Sequence, residues 1–198
     1  MINTNYGTLL VVSGPSGSGK TTLCRRAMEA DLCRYSISCT TRAPREGEQN
    51  GVDYHFLTHD EFSAKIANGE FLEYAEVHGN RYGTLKADII QLLEQGITVV
   101  MDIDVQGADQ VRACVDEVIG RCYSDLYIHV PQDELKARLS GRATDAEEVI
   151  ALRLRNAADE DACMPRYQFC LVSQDREHDY DAFTALLKAL SMRISLMR

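Results

Sequence analysis

The chain has 198 residues, 30 Asp+Glu against 21 Lys+Arg and a formal charge of −9, with 26% charged and 45% hydrophobic residues. One domain with a single sizeable core is the expectation at this length, and the composition excludes a disordered chain. No apolar run approaches the ~20 residues of a membrane span. The amino-terminal MINTNYG lacks the basic and apolar blocks of a signal peptide. The acidic total argues against a broad nucleic-acid-binding face.

In chain order, Thr8–Ser13 is an unbroken β-prone run without polar alternation, which predicts a buried parallel strand. Glycines punctuate residues 14–19, and Lys20–Ala30 reads as a helix. Residues 36–84 are polar, turn-rich and aromatic, and predict short strands joined by turns in a small antiparallel or mixed α/β insert on the edge of the core. Helices are then predicted over 85–95, 106–117, 133–139, 145–161 and 181–195, with buried strands at 97–103, 126–130 and 167–172. Alternating buried strands and helices predict an α/β fold with a mostly parallel sheet flanked by helices. The predicted division is one domain, with a core of 1–35 and 96–198 and an insert of about 36–95. The seven cysteines, Cys24, Cys33, Cys39, Cys114, Cys122, Cys163 and Cys170, show no zinc or C-x-x-C spacing. They read as reduced thiols of a cytoplasmic protein.

Gly14-Pro15-Ser16-Gly17-Ser18-Gly19-Lys20-Thr21 fits G-x-x-x-x-G-K-[ST], followed by Thr22. Inward-turned backbone N–H groups and the following helix amino terminus suit a phosphate chain, Lys20 can reach the β- and γ-phosphates, and Thr21 can ligate Mg2+. Buried strand before and helix after supply the context this motif needs. Asp102, closing the apolar run Ile97–Met101, is the candidate second metal-shell acid, partly through water.

The loop does not name the phosphate acceptor. Ser38-Cys-Thr-Thr-Arg42-Ala-Pro-Arg45-x-Gly47-Glu48, Asp53-Tyr54-His-Phe56, Phe71-Leu72-Glu73 and Tyr82-Gly83-Thr84 together resemble the guanylate kinase family. Asp102-Ile-Asp104-Val-Gln-Gly107 and Arg138-Leu-x-Gly-Arg142 extend the resemblance over about Gly7 to Asp175. It implies transfer of the γ-phosphoryl group of ATP to GMP (or dGMP) with Mg2+, in purine nucleotide metabolism and GMP recycling. It places Arg42, Arg45, Tyr54 and Tyr82 around the GMP phosphate, and Ser38, Glu73, Thr84 and Asp104 around the guanine. Arg138, Arg142 and Arg153 match a mobile lid over ATP at about 137–156. Lys20, Arg42, Arg138, Arg142 and Arg153 are therefore the catalytic candidates. A departure falls at the last strand: the family usually has an Asn near the adenine, where this chain reads Val172-Ser173-Gln174-Asp175. Ser173 keeps a hydroxyl that can hydrogen-bond there.

The residue types agree with this reading on their own chemistry. Guanidinium forks and phenol hydroxyls can surround a phosphate dianion. A carboxylate can accept from guanine N1–H and the 2-amino group together, an arrangement adenine leaves unpaired. Singly, each arginine or tyrosine is read more simply as a solvated loop charge or an insert core aromatic; only the conjunction points to one acceptor. A guanylate-kinase-like scaffold that holds phosphopeptides has no use for Lys20, Thr21 and the lid arginines. A kinase for another phosphorylated acceptor has none for Ser38, Glu73 and Thr84. The expected protein is a monomer or small homo-oligomer with no nucleic-acid or membrane partner.

The charge is clumped. Gly14–Arg26, Arg34–Arg45 and Lys136–Arg142 hold 9 of the 21 Lys+Arg and no acid. A focused cationic cleft is predicted behind the acidic average.

Overall fold

The structure, a computed structural model, describes residues 5–77, 79–140 and 147–197. In chain order the elements are β1 (Leu9–Ser13), α1 (Lys20–Glu29), β2 (Arg34–Tyr35), β3 (Cys39–Thr40), β4 (His55–Phe56), α2 (His59–Ala67), β5 (Phe71–Val77), β6 (Asn80–Leu85) and α3 (Lys86–Glu94). Then follow β7 (Val99–Asp102), α4 (Val105–Arg112), α5 (Glu117–Cys122), β8 (Tyr123–His129), α6 (Gln132–Ser140), α7 (Glu147–Asp161), β9 (Phe169–Val172) and α8 (Arg176–Leu190).

The main sheet has the order β2-β7-β1-β8-β9 and is parallel throughout. Every residue of β1 is buried because each face of the sheet carries helices. Leu10 and Val12 pack with Leu23, Cys24 and Ala27 of α1 and Phe183, Leu187 and Leu190 of α8. Leu9 and Val11, pointing the other way, pack with α3, α4 and α5 through Ile89, Leu93, Ala108, Val111 and Ile119. The loops after β1, β7, β8 and β9 all leave the carboxyl edge of this sheet, where a parallel α/β fold opens its ligand crevice.

A second, mixed sheet has the order β4-β3-β6-β5, with β3 and β4 parallel and the other pairs antiparallel. It has its own small core of Cys39, Phe62 and Phe71, closed by α2. The sequence reading of residues 36–84 as a small mixed α/β insert assigns its helix no position, and the structure places α2 there. The signal is present as a capping box: the Thr58 hydroxyl accepts from Glu61 N at 3.2 Å and the Glu61 carboxylate accepts from Thr58 N at 2.8 Å. Thr58→Ala should lower stability by about 1 kcal/mol, a fall in melting temperature of a few degrees in a thermal circular-dichroism scan.

Other boundaries move for the same kind of reason. The helix expected over 106–117 ends at Arg112, and α5 begins separately because the Asp116 carboxylate accepts from Val118 N and Ile119 N. The last helix begins at Arg176 rather than 181, capped by Asp175, which accepts from Glu177 N and His178 N, and it ends at Leu190. Strand β2, too short to show periodicity, lies outside the expected elements. All seven cysteines are free thiols. Among the described residues no helix is long and apolar enough to cross a membrane.

Candidate active site

The loop between β1 and α1 carries positive φ at Gly14 (145°), Gly17 (94°) and Gly19 (93°). Gly14 also tolerates no side chain, since a Cβ there would lie 2.4 Å from the Ile128 carbonyl oxygen of β8. A Cβ at Gly17 would press on Leu135 and Leu139, so α6 lies against the outside of the loop. Lys20, the first residue of α1, donates from Nζ to Gly14 O at 2.6 Å and Pro15 O at 3.3 Å. The Thr21 hydroxyl donates to Asp102 Oδ2 at 2.5 Å. Loop, Thr22, Asp102, Ile103, Asp104 and Glu160 enclose a cavity of about 440 Å³. Pro15 and Ser18 are buried in the loop and Ser16 is exposed.

Glu160, near the end of α7, is absent from the sequence reading. Burial pushes its carboxyl up, the Lys20 charge pulls it down, and Asp104 and Asp161 push it up further. The signal is weak. Ile150, Leu154 and Ala157 mark the face of α7 that packs on Val130, Leu135 and Leu139, and Glu160 follows one turn later on its border.

The second site lies on the mixed sheet. A β-bulge separates Phe71 from Glu73, so that Phe71 pairs with Leu85 and Glu73 with Thr84. Without the extra residue, Glu73 would share the face of Phe71 and point into the insert core. With it, Glu73 turns to the opposite face, beside Thr84, Ala75 and Tyr82. There it is 7% exposed, and the Thr84 hydroxyl donates to its Oε1 at 2.7 Å. Burial raises its carboxyl above the ordinary value, Thr84 opposes this, and the Asp104 charge adds to it. Cys39 sits on the other face, fully buried, its thiol pushed up by burial to about 11. Ser38, half-buried, immediately precedes β3, and its carbonyl accepts from His55 N at 2.9 Å.

Arg42 lies on the rim of this face. Its guanidinium carbon is 5.4 Å from the Tyr54 ring centre and 6.0 Å from that of Phe56, and Tyr54 meets Tyr82 edge-on at 6.2 Å. Glu48 grips Arg42 with both oxygens, at 2.8 and 3.0 Å, and accepts from Arg45 N at 2.7 Å. This bidentate partner, first of the causes acting on each, raises the Arg42 guanidinium and lowers the Glu48 carboxyl. Glu48 thus organises the two arginines, a role its place three residues after Arg45 could have suggested. Arg45 itself is exposed.

The β7–α4 turn joins the two sites. Asp102 touches Thr21 of the phosphate loop, Asp104 caps α4 by accepting from Gly107 N at 2.8 Å, and a Cβ at Gly107 would lie 3.4 Å from Glu73 Oε2. At the outer edge, Arg138 Nη2 donates to Ser173 Oγ at 3.0 Å, to Gln174 O at 3.1 Å and to Glu134 Oε1 at 2.6 Å. Arg153 is half-buried on α7, and Arg142 lies outside the described residues.

The cationic windows are only partly directed at these sites. Arg26 forms a bidentate pair with Glu177 and covers the Tyr180 ring, and Arg34 pairs with Asp31. Arg26 is six residues past Lys20, about 240° around α1, and so faces α8 instead of the loop.

The family model described as guanylate kinase matches residues 6–190. A guanylate kinase of Fusobacterium nucleatum is 46% identical over 173 residues, covering 87% of this chain and 91% of that protein. One of Syntrophotalea carbinolica is 44% identical over 196 residues, covering 97% and 90%. The crystal structure of guanylate kinase from Anaplasma phagocytophilum superposes with a TM-score of 0.72 at 30% identity, covering 98% of this chain and 90% of that one. With the family model spanning nearly its whole length and relatives this similar, the chain belongs to the guanylate kinase family.

Proposed function

We propose that this protein transfers the γ-phosphoryl group of ATP to GMP, giving ADP and GDP, within purine nucleotide metabolism and GMP recycling. The observation that carries this reading is the buried Glu73–Thr84 pair, set beside the phosphate loop by one shared turn, residues 102–107. A buried carboxylate with one oxygen still accepting can take both N1–H and the 2-amino group of a guanine. Thr84 and Ser38 supply hydroxyls, and Asp104 keeps the oxygen that does not cap α4. Arg42, held by Glu48, forms the wall for the GMP phosphate with Arg45, Tyr54 and Tyr82. A GMP phosphate oxygen attacks the γ-phosphorus in line, so no residue need become a covalent nucleophile.

On the donor side the loop N–H groups hold the phosphates, and Lys20 neutralises charge at the β- and γ-phosphates. Arg138, Arg142 and Arg153, on a lid of about 137–156, bring further positive charge and exclude water as they close over the core (1–35 and 96–198) and insert (36–95). Thr21 and Asp102 fit Mg2+: a hydroxyl that donates to a carboxylate keeps its lone pairs for a hard cation. Among the described residues no cluster of three or more His, Cys, Asp or Glu could hold a metal ion. That suits a Mg2+ shared with phosphate and water. When bound, the ion would neutralise charge on the phosphates. The free thiols fit a cytoplasmic setting.

A coupled ADP-release assay with GMP, AMP, CMP and UMP tests the reading. GMP should exceed the other acceptors in kcat/KM by roughly 10² or more. Equal turnover with all four, or none with GMP, overturns it.

A further inference from the structure

Ser173 follows β9 at the carboxyl edge of the main sheet, two strands from the β1 phosphate loop, about 10 Å away. Arg138 spans that gap. Its helix, α6, leans on the loop at Gly17 through Leu135 and Leu139, while its guanidinium reaches Ser173 and Gln174. A nucleotide with its phosphates on the loop therefore has Arg138 beside its phosphates or ribose.

Ser173 is 2% exposed and its hydroxyl has one hydrogen. That hydrogen goes to Asp179 Oδ2 at 2.5 Å, which turns a lone pair of the same oxygen toward Arg138 at 3.0 Å. Asp179, 6% exposed, is itself fixed, its Oδ1 accepting from Gln174 N at 2.9 Å with His178 Nδ1 at 3.4 Å. Without Asp179 the hydroxyl is free to rotate its hydrogen toward the guanidinium and ceases to be a directed acceptor. Glu134, the remaining side-chain partner of Arg138 among the described residues, lies on the same helix and cannot tie it to the sheet edge.

We propose that Asp179 is a positioning residue for donor binding: it orients the Ser173 hydroxyl so that this oxygen fixes Arg138 over the donor nucleotide. The inference rests on the reading of ATP as donor. A consequence is that the Ser173 hydroxyl, its proton committed to Asp179, has no hydrogen to give to the donor base.

The test is the Kd of ATP alone by titration calorimetry, with KM for ATP and for GMP, in Ser173→Ala, Asp179→Ala and the double variant. Each single change should raise the ATP Kd about tenfold, with the GMP KM within about twofold, and the double variant should be no worse than the worse single one, since both break one chain. Ser173→Thr, which keeps the hydroxyl, should restore binding. Asp179→Asn keeps an acceptor oxygen, should fall between, and gives the answer if the alanine variant does not fold. Asp175→Ala removes the cap of the same helix, so it should lower the melting temperature and leave the ATP Kd in place. An unchanged Kd in Asp179→Ala, multiplying single effects, or an equal rise in Asp175→Ala overturns the proposal. Failure of the GMP kinase reading would appear separately, as absent GMP-dependent turnover in the unsubstituted protein.

Discussion

Lys20→Ala should reduce GMP-dependent ADP formation by about 10³-fold at saturating ATP, with a smaller loss in ATP binding. Its ammonium is held against the Gly14 and Pro15 carbonyls at the wall of the cavity proposed for the donor. The same cavity is lined by Asp102, Asp104 and Glu160. Taking Lys20 away therefore leaves three carboxylates facing a triphosphate. Loop N–H groups persist in the variant and continue to hold the donor phosphates, which is why binding suffers less than turnover. The charge that moves onto the bridging oxygen during transfer is what loses its partner, so kcat carries the larger part of the loss. Single-turnover rates with ATP and GMP in excess of their KM values separate the two effects. A rate within tenfold of the unsubstituted protein would remove Lys20 from the catalytic machinery.

The proposed donor site was more legible in sequence than the proposed acceptor site because its chemistry is local. Strand β1, the three positive-φ glycines, Lys20 and Thr21 lie within 13 consecutive residues, and period and turn chemistry determine the arrangement almost alone. Glu73 shows the opposite case. Its side on β5 depends on a bulge that is a property of the pairing with β6, and alternation counted along β5 alone would have pointed it the wrong way. The helices given no position in sequence, α2 and α5, are announced by caps rather than by apolar stripes, since α2 buries only Phe62 and α5 has just six residues. Glu160 and Asp179 acquire meaning only through neighbours far along the chain, Lys20 and Ser173 respectively. Arg26 fails in the other direction: clustered with Lys20 in sequence, it is turned by the helix toward Glu177. Charge windows register composition; the direction each side chain takes comes from the element that carries it.

Glu73→Gln should lower kcat/KM for GMP by roughly 10²–10³-fold and leave that for AMP unchanged or higher. The carboxylate can accept two hydrogens from guanine, whereas an amide must set its own NH2 against one of them. Adenine, with an acceptor at N1, gains where guanine loses, so discrimination collapses from both sides. The same substitution should raise the melting temperature. Glu73 is buried beside Thr84 with the Asp104 charge nearby, and its folded-state pKa lies above the ordinary 4.5. The folded protein thus holds this proton more tightly than the unfolded chain does. Stability is lost as pH rises from 4.5 through the folded value, and the full penalty is present at neutral pH. The amide of the variant carries no charge to desolvate and can still accept from Thr84, so the penalty disappears. In the unsubstituted protein, kcat/KM for GMP should also fall on the acid side beginning above pH 4.5, as Glu73 takes up its proton. This limb should be missing in the variant. Thermal scans at pH 7 and acceptor kinetics between pH 4.5 and 8 measure all three effects. Unchanged GMP kinetics would dismiss Glu73 as the guanine reader, whereas a fall in melting temperature would show its carboxylate to be a stabilising partner rather than a strained one.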